Sequence, residues 1–184
     1  RVGGVLRYGI PEFRLKTEHI DCYERLLKEA GVRFKGRVVI GRNITIRELR
    51  SSSDAVLICT GAAVPRKMRI PGEDLPCVIP ALSYLDSPDA YLLGEKVLVI
   101  GGGNVAMDAS RTAVKDGHDV TLYYRKNFEN MPANTIEVDE AMKDGVKFRV
   151  LQTPVEIRSE NGRNIAVIRD CRTVVSPDGA TSTE

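Results

Sequence analysis

The stretch that most constrains this chain runs from residue 96 to residue 126 and reads KVLVIGGGNVAMDASRTAVKDGHDVTLYYRK. A short apolar run leads into three glycines, a segment of helical character follows, and a second apolar run covers residues 120–124. Strand, tight turn, helix and strand in this order form the unit that binds a dinucleotide in α/β proteins.

The glycine turn fits the pattern G-x-G-x-x-A, with Gly101, Gly103 and Ala106 in its three defined positions. Gly101 lets the chain turn sharply out of the strand, and Gly103 lacks a β-carbon, so that a pyrophosphate can approach the backbone. Ala106 is small enough for the helix to pack near the strand. The helix begins at about Asn104, and its free N–H groups and dipole favour an anion. The turn therefore predicts a phosphate site.

The residues after the second strand indicate which dinucleotide binds. An NAD site usually has Asp or Glu about 20 residues beyond the turn, where it binds the ribose 2′-hydroxyl. This chain has Arg125 and Lys126 at that point. Two cations suit a 2′-phosphate, and an arginine can bind it through two parallel hydrogen bonds. We therefore predict NADPH rather than NADH.

Three other interpretations of the turn stay open. The chain could be a nucleotide-binding module without chemistry of its own, or a ligand-free domain in which the glycines only make a tight turn. A methyltransferase that uses S-adenosylmethionine also binds at such a turn, but it needs an acidic residue where Arg125 and Lys126 stand. Asp108 could face the site or act as an ordinary carboxylate near a helix start, and no residue is predicted to be catalytic.

The rest of the chain also alternates between helices and strands. We predict a helix capped by Thr17 and running to about residue 30, strands over 32–40 and 54–60, and a capping box at Thr45 and Glu48 that opens a short helix. Later segments predict a helix over 134–144, a strand over 146–150, a hairpin around Asn161-Gly162 and a turn at Pro177-Asp178-Gly179. This alternation predicts an α/β fold with Rossmann-like parallel sheets and an antiparallel hairpin.

Proline distribution divides the chain into two lobes. Five prolines lie within residues 62–94, which we interpret as a linker containing a short helix at about 81–85. The predicted domains are residues 1–61, residues 62–94 as the linker, and residues 95–184 as the NADPH-binding domain.

Composition and cysteine spacing exclude several classes of protein. The net charge of +2 gives no sign of a nucleic-acid surface, and no apolar run is long enough to span a membrane. No two of the four cysteines form a C-x-x-C motif, so no metal site is predicted. Cys59 lies in an apolar run, where we expect a buried thiol. A cytoplasmic location fits best. Since the first residue is Arg, we expect a piece of a longer polypeptide.

Short motifs are distributed along nearly the whole chain: GG at 3–4, YGIPEFRL at 8–15, CTG at 59–61, IPGE at 70–73, GGGNVAMD at 101–108, YRK at 124–126 and MPA at 131–133. Through them the chain resembles the small-subunit family of NADPH-dependent glutamate synthase. It is also similar to the amino-terminal part of dihydropyrimidine dehydrogenase and to the large subunit of electron-bifurcating ferredoxin:NADP oxidoreductases.

The resemblance implies a two-lobe FAD/NAD(P)-binding architecture, with an incomplete FAD lobe followed by the NADPH lobe. It implies hydride transfer between NADPH and FAD, with electrons passing onward to iron–sulfur clusters on other segments or on an electron-accepting large subunit. Gly103, Asn104, Val105 and Ala106 would hold the NADPH phosphates. The residues implied to lie near FAD are Gly4, Val5, Arg14, Val39, Thr60 and Gly61.

The chain departs from the family pattern in several places. The glycine fingerprint for FAD and the cluster-binding cysteines, expected ahead of the first residue, are not in this sequence. The family more often has Pro, Pro, Ala and Glu at four positions, which here are Val2, Lys16, Cys59 and Asn130. The resemblance leaves open whether the electrons serve glutamate synthesis, pyrimidine reduction or electron bifurcation.

Overall fold

The computed structural model describes residues 2–175 and 181–183. The helices are α1 (Val5–Tyr8), α2 (Thr17–Glu29), α3 (Ile46–Ser51), α4 (Ala81–Asp86), α5 (Asn104–Lys115) and α6 (Thr135–Asp144), with short 3-10 helices at Pro88–Ala90 and Phe128–Asn130. The strands are β1 (Lys96–Ile100), β2 (Asp119–Tyr124), β3 (Lys147–Val150), β4 (Gln152–Glu160), β5 (Arg163–Asp170), β6 (Thr173–Val175) and β7 (Thr181–Thr183).

A three-stranded parallel sheet organises the second half of the chain. Its order is β1-β2-β3, so β2 lies in the centre. Helix α5 makes the crossover from β1 to β2, and α6 makes the crossover from β2 to β3. Parallel strands need such crossovers because the chain must return to the same end of the sheet. The predicted α/β class with a parallel sheet is confirmed.

Helix α5 lies at the centre of the core and packs against α4, α6, β1 and β2. Its buried face is made largely of small residues, including Ala109 and Ala113, which let the helix approach the sheet closely. Met107 on α5 and Leu122 on β2 are completely buried. On β1, Val97 and Val99 contact this core while Leu98 remains 39% exposed on the other face.

The antiparallel hairpin predicted around Asn161-Gly162 is confirmed. Strands β4 and β5 pair from Glu160↔Arg163 back to Gln152↔Asp170. Asn161 and Gly162 both have positive φ, 51° and 74°, as a type I′ turn requires. The turn predicted at residues 177–179 lies outside the described residues. Strands β6 and β7 form a separate antiparallel pair.

Most predicted helix ends agree with the structure. Thr45 and Glu48 form the predicted capping box at α3. The side chain of Asn134 caps α6, and Gly145 ends that helix in the left-handed conformation. Thr17 is the first residue of α2 rather than its cap; Lys16 holds the cap position without a side-chain hydrogen bond.

The strands predicted over residues 32–40 and 54–60 are wrong. Among the described residues, neither segment forms a strand, and the only β pairing near them is an isolated bridge between Ile40 and Ile44. A β-strand is stabilised by hydrogen bonds to a neighbouring strand, and no described strand lies beside either segment. Leu57 and Ile58 are therefore 88% and 68% exposed, and Cys59, expected to be buried, is exposed as well.

Two segments near the predicted linker pack against other elements. Helix α4, which lies within the predicted linker, contacts the short helix α1. Residues 70–72 lie along β4, where the N–H of Ile157 donates to the carbonyl oxygen of Pro71 at 2.9 Å. Gly72 has a φ of 81°, and a β-carbon there would overlap the Ile157 carbonyl. The division at residues 61, 62, 94 and 95 stays a prediction.

Candidate functional site

The glycine turn connects β1 to α5 and leaves space above its backbone. Gly101 has a φ of 136°, in the region that favours glycine, and its N–H donates to the carbonyl of Tyr123 on β2 at 3.0 Å. A β-carbon on Gly103 would meet nothing within 4 Å. The open side of the turn is therefore at Gly103, the position where a pyrophosphate is predicted.

The other side of the turn is closed by the loop after β2. A β-carbon on Gly102 would lie 2.7 Å from the ring of Tyr124. The carbonyl of Gly102 accepts a hydrogen bond from the N–H of Ala133 at 3.0 Å. Sequence reasoning missed both contacts of Gly102. The presence of a third glycine could have indicated them, since the motif requires glycine only at Gly101 and Gly103 and leaves Gly102 unexplained.

Helix α5 begins at this turn with free donors. Gly103 is its N-cap residue, and no side chain of the described residues caps the helix. The Asn104 side chain instead accepts a hydrogen bond from the N–H of Asn134 at 2.9 Å, which ties the turn to the start of α6. Val105 is 39% exposed, and Ala106 is buried beneath the turn, where its β-carbon would contact that of an alanine at position 101 at 3.4 Å. An uncapped helix start over an open turn suits an anion.

Arg125 and Lys126 follow β2 directly, at the same end of the sheet as the glycine turn. Arg125 is exposed and Lys126 is partly exposed. Neither side chain forms an ion pair with any residue in the described ranges, whereas many other cations of the chain do. The backbone of Lys126 is held by a hydrogen bond from the N–H of Leu151 at 3.1 Å. Within the part of the chain that the structure describes, two positive charges without an ion-pair partner therefore lie beside the turn.

Arg14 and Asp108, considered separately in the sequence, contact each other. The Arg14 guanidinium donates to both carboxylate oxygens of Asp108 at 2.8 and 2.7 Å. It also reaches Glu137 on α6 at 2.9 Å. The Asp108 side chain is 3% exposed. Burial raises the pKa of Asp108, although the adjacent Arg14 opposes that shift. Asp108 is thus a buried partner of Arg14 and does not point freely into the site.

A second arginine extends this arrangement along α5. Arg111 is 7% exposed and forms ion pairs with Glu137, Glu140 and Asp144 of α6. Burial acts to raise the pKa of Asp144, but hydrogen bonds and positive charge from Arg111 and Lys115 outweigh it and hold the pKa below its ordinary value. Sequence reasoning missed Arg111. Its signal was a charge three residues after Asp108, on the same face of α5 as that carboxylate.

The residues implied to lie near FAD do not form an enclosed site by themselves. Gly4 has a φ of 49° and a ψ of −135°, which suits glycine, and it precedes Val5 at the start of α1. Val39, Thr60 and Gly61 are exposed. No hydrogen bond or ion pair in the described part of the chain joins these three to Gly4, Val5 or Arg14. Their role with FAD stays a prediction.

The described residues contain neither a candidate metal site nor a candidate membrane span. No three side chains of His, Cys, Asp or Glu are grouped so as to hold a metal ion. None of the helices in these ranges has the length and apolar character that a membrane crossing requires.

Comparisons with known proteins give the family. Residues 15–180 match the family model described as pyridine nucleotide-disulphide oxidoreductase. The small chain of glutamate synthase [NADPH] from Halomonas elongata is 37% identical over 91% of this chain and 39% of its own length. The beta subunit of an NADPH-Fe(3+) oxidoreductase from Geobacter sulfurreducens is 30% identical over 97% of this chain and 28% of its own length. The chain spans about two fifths or less of these curated relatives.

Solved structures show the same fold. FprA of Mycobacterium tuberculosis, in complex with NADPH, aligns with a TM-score of 0.80 and 22% sequence identity, covering 98% of this chain and 57% of that one. The fold of the chain is therefore that of the corresponding part of FprA.

Proposed function

The chain belongs to the pyridine nucleotide-disulphide oxidoreductase family, and we propose that it binds NADPH at the glycine turn as part of a flavoprotein oxidoreductase. One observation carries the proposal. The turn is open at Gly103 and continues into a helix that no side chain of the described residues caps. Beside it lie Arg125 and Lys126, which form no ion pair with those residues. The pyrophosphate would lie over residues 103–106, and the 2′-phosphate would lie between the two cations.

Within this proposal, the residues of this chain bind and orient the nucleotide. The helix N-terminus stabilises the pyrophosphate charge, and Arg125 and Lys126 select the phosphorylated ribose. When NADPH and FAD are both bound, they supply the hydride transfer itself. No side chain of this chain has to act as an acid or a base, and the protein contributes position and electrostatics.

We assign residues 1–61 to an incomplete FAD lobe, with Gly4, Val5, Arg14, Val39, Thr60 and Gly61 near the flavin. Apolar side chains of this segment, including Leu57 and Ile58, are exposed. Their exposure supports a further segment that would cover them, which we identify with the remainder of the FAD domain. Residues 62–94 would be the linker and residues 95–184 the NADPH domain.

The electrons would leave the flavin for iron–sulfur clusters on other segments or on a larger partner subunit. The names of similar proteins support this direction, since they are the small chain of one enzyme and the beta subunit of another. We place the protein in the cytoplasm, because its four cysteines are all free and disulfides are rare there. Whether the electrons serve glutamate synthesis, pyrimidine reduction or electron bifurcation depends on the final electron acceptor.

A nucleotide-binding module without catalysis is the second candidate. It is favoured by the absence of an enclosed flavin site among the described FAD-lobe residues. The absorbance spectrum of the purified chain distinguishes the two functions, since a colourless chain that binds NADPH would be a module.

Replacing Arg125 and Lys126 with alanine tests the cofactor assignment. We expect NADPH binding to weaken by about 2–4 kcal/mol, since each charge-assisted hydrogen bond contributes about 1.5–3 kcal/mol and two such bonds are not fully additive. NADH, which lacks the 2′-phosphate, should bind almost as before. Titration followed by nicotinamide fluorescence measures both dissociation constants.

The matched control is the double replacement of Arg33 and Lys35 by alanine. It removes the same charge from exposed positions that are distant from the turn in sequence and should leave both dissociation constants nearly unchanged. Equal weakening of NADPH and NADH in the Arg125/Lys126 variant would show that this pair does not bind the 2′-phosphate.

A further inference from the structure

Segment 11–16 is attached to the NADPH lobe by its two central side chains. The Arg14 guanidinium uses one nitrogen for both oxygens of Asp108 and another for Glu137. The Phe13 ring lies 4.7 Å from the Arg111 guanidinium carbon and 5.0 Å from the Lys115 nitrogen. Adjacent residues of one segment therefore contact two helices of the other lobe.

The contacts share one face of α5. Asp108, Arg111 and Lys115 are three and four residues apart, so they lie on the same side of the helix. Glu137 bridges the two arginines, since one of its oxygens pairs with Arg14 at 2.9 Å and the other with Arg111 at 3.4 Å. The side chain of Asp108 is 3% exposed, and burying it without Arg14 would leave an unpaired charge.

The same helix face leads to the glycine turn. Asp108 lies one helical turn after Asn104, where α5 begins. Within the proposed function, Arg14 belongs to the segment beside the flavin and α5 holds the pyrophosphate. We propose that the Arg14–Asp108–Glu137 contact is a latch that sets the distance between the two cofactors, with Arg14 as a positioning residue acting through Asp108. This inference rests on the proposed function.

The latch is tested first without any cofactor. In the folded chain, the N–H groups of Arg14 and Leu15 both donate to the carbonyl of Pro11. In Arg14→Met we expect hydrogen exchange of the Leu15 amide and of the amide at position 14 to accelerate about tenfold or more, because the turn loses its attachment. The β2 amides report whether the variant remains folded, and Arg14→Lys, which keeps the charge, should give an intermediate acceleration.

Arg7→Met is the matched control. Arg7 also lies within residues 1–61, but it pairs with Asp21 and Glu24 on α2 and forms no ion pair with α5 among the described residues. Its loss should leave exchange at residues 14 and 15 unchanged. Equal exchange in wild type and Arg14→Met would overturn the latch.

The second measurement is the rate of flavin reduction by NADPH in the FAD-loaded protein. Arg14→Met and Asp108→Asn should each slow this step about tenfold to a hundredfold, with the NADPH dissociation constant nearly unchanged, because misplacement by about 1 Å has costs of this order. If Arg14 acts through Asp108, the double variant should be no slower than either single one.

A rate loss confined to Arg14→Met would overturn the proposal, since it would mean that Arg14 acts on the flavin directly. Failure of the wild-type protein to bind NADPH would instead reject the proposed function. The exchange comparison uses no cofactor and would still show whether the latch exists.

Discussion

At the scale of single residues, the three glycines of the turn have three different surroundings. Gly101 adopts a φ of 136°, Gly102 is covered by the Tyr124 ring, and Gly103 faces open space. The fold therefore needs glycine at the first two positions for conformation and for packing. It has no need of glycine at the third, where φ is −96° and any residue is allowed. A bound ligand would explain why glycine stands at this open position.

Gly103→Ala should accordingly separate binding from stability. We expect a loss of less than about 1 kcal/mol in the free energy of unfolding, from the poorer helix cap that alanine makes. NADPH affinity should fall about tenfold or more, because the methyl group occupies the space of the pyrophosphate. Urea unfolding and nicotinamide fluorescence measure the two quantities.

Gly102→Ala is the contrasting variant. Its methyl group would meet the Tyr124 ring at 2.7 Å, and overpacking of this kind costs about 1–3 kcal/mol. The Gly102 variant therefore shows that the unfolding assay detects an added methyl group at this turn. Undiminished NADPH binding in Gly103→Ala would contradict a pyrophosphate over the turn.

At the scale of elements, α5 and α6 are joined by charge as well as by packing. Arg111 is almost fully buried and pairs with three carboxylates of α6, including Asp144 at 2.7 Å. A buried arginine is stable only when such partners compensate its charge. This arrangement makes the helix pair sensitive to acid.

Asp144→Asn should show that sensitivity. The lowered pKa of Asp144 means that the folded state binds its proton less readily than the unfolded state. Its stabilising contribution is therefore fully present above the unfolded value of about 3.9 and is lost as the pH falls through the folded value. We expect a loss of about 1 kcal/mol at pH 7, from a hydrogen bond that is no longer charge-assisted on both sides, and a smaller difference near pH 3. Urea unfolding across this pH range measures both.

Asp74→Asn provides the control for Asp144→Asn. Asp74 pairs with Lys67, and both side chains are largely exposed, so its replacement should change stability by less than about 0.5 kcal/mol. A difference between wild type and Asp144→Asn that grows in acid would refute the assignment of the lowered pKa to this pair.

At the scale of the whole molecule, burial is distributed unequally. The core of α5, its neighbouring helices and the parallel sheet is formed mainly by residues after 79. Residues 30–66 are exposed almost throughout. On α2 the apolar side chains of Tyr23, Leu26 and Leu27 are exposed, and only Ile20 is buried. The two parts should therefore differ in their resistance to local unfolding.

Brief trypsin digestion should cut the chain first between residues 33 and 66. Cleavage sites there, such as Arg33 and Arg66, lie in exposed segments outside the described strands, whereas sites within residues 96–150 lie in or beside the packed α/β unit. We expect cleavage in the second region to be at least about tenfold slower, because a protease needs a locally opened backbone. Mass spectrometry of the early fragments identifies the cuts.

Thermolysin, which cuts at apolar residues, is the matching probe for the segment around Leu57 and Ile58. The same order of cleavage with both enzymes would exclude a bias from lysine and arginine positions. Early cuts within residues 96–150 would contradict the unequal distribution of stability.

Local sequence patterns were enough to predict those parts of the chain whose conformation is determined by neighbouring residues. Gly101 and Gly103 marked the turn, Asn161-Gly162 marked the hairpin, and Thr45 with Glu48 marked a helix start. Each depends on backbone angles or on hydrogen bonds within a few residues, which the neighbouring residues decide.

Tertiary structure alone decided two things. It left residues 54–60 without a strand, because a β-strand depends on a partner that need not be near in sequence. It also brought Arg14 to Asp108, 94 positions along the chain, because a buried carboxylate must be paired and only the packed helices determine which cation reaches it. No periodicity in the sequence encodes a contact at that separation.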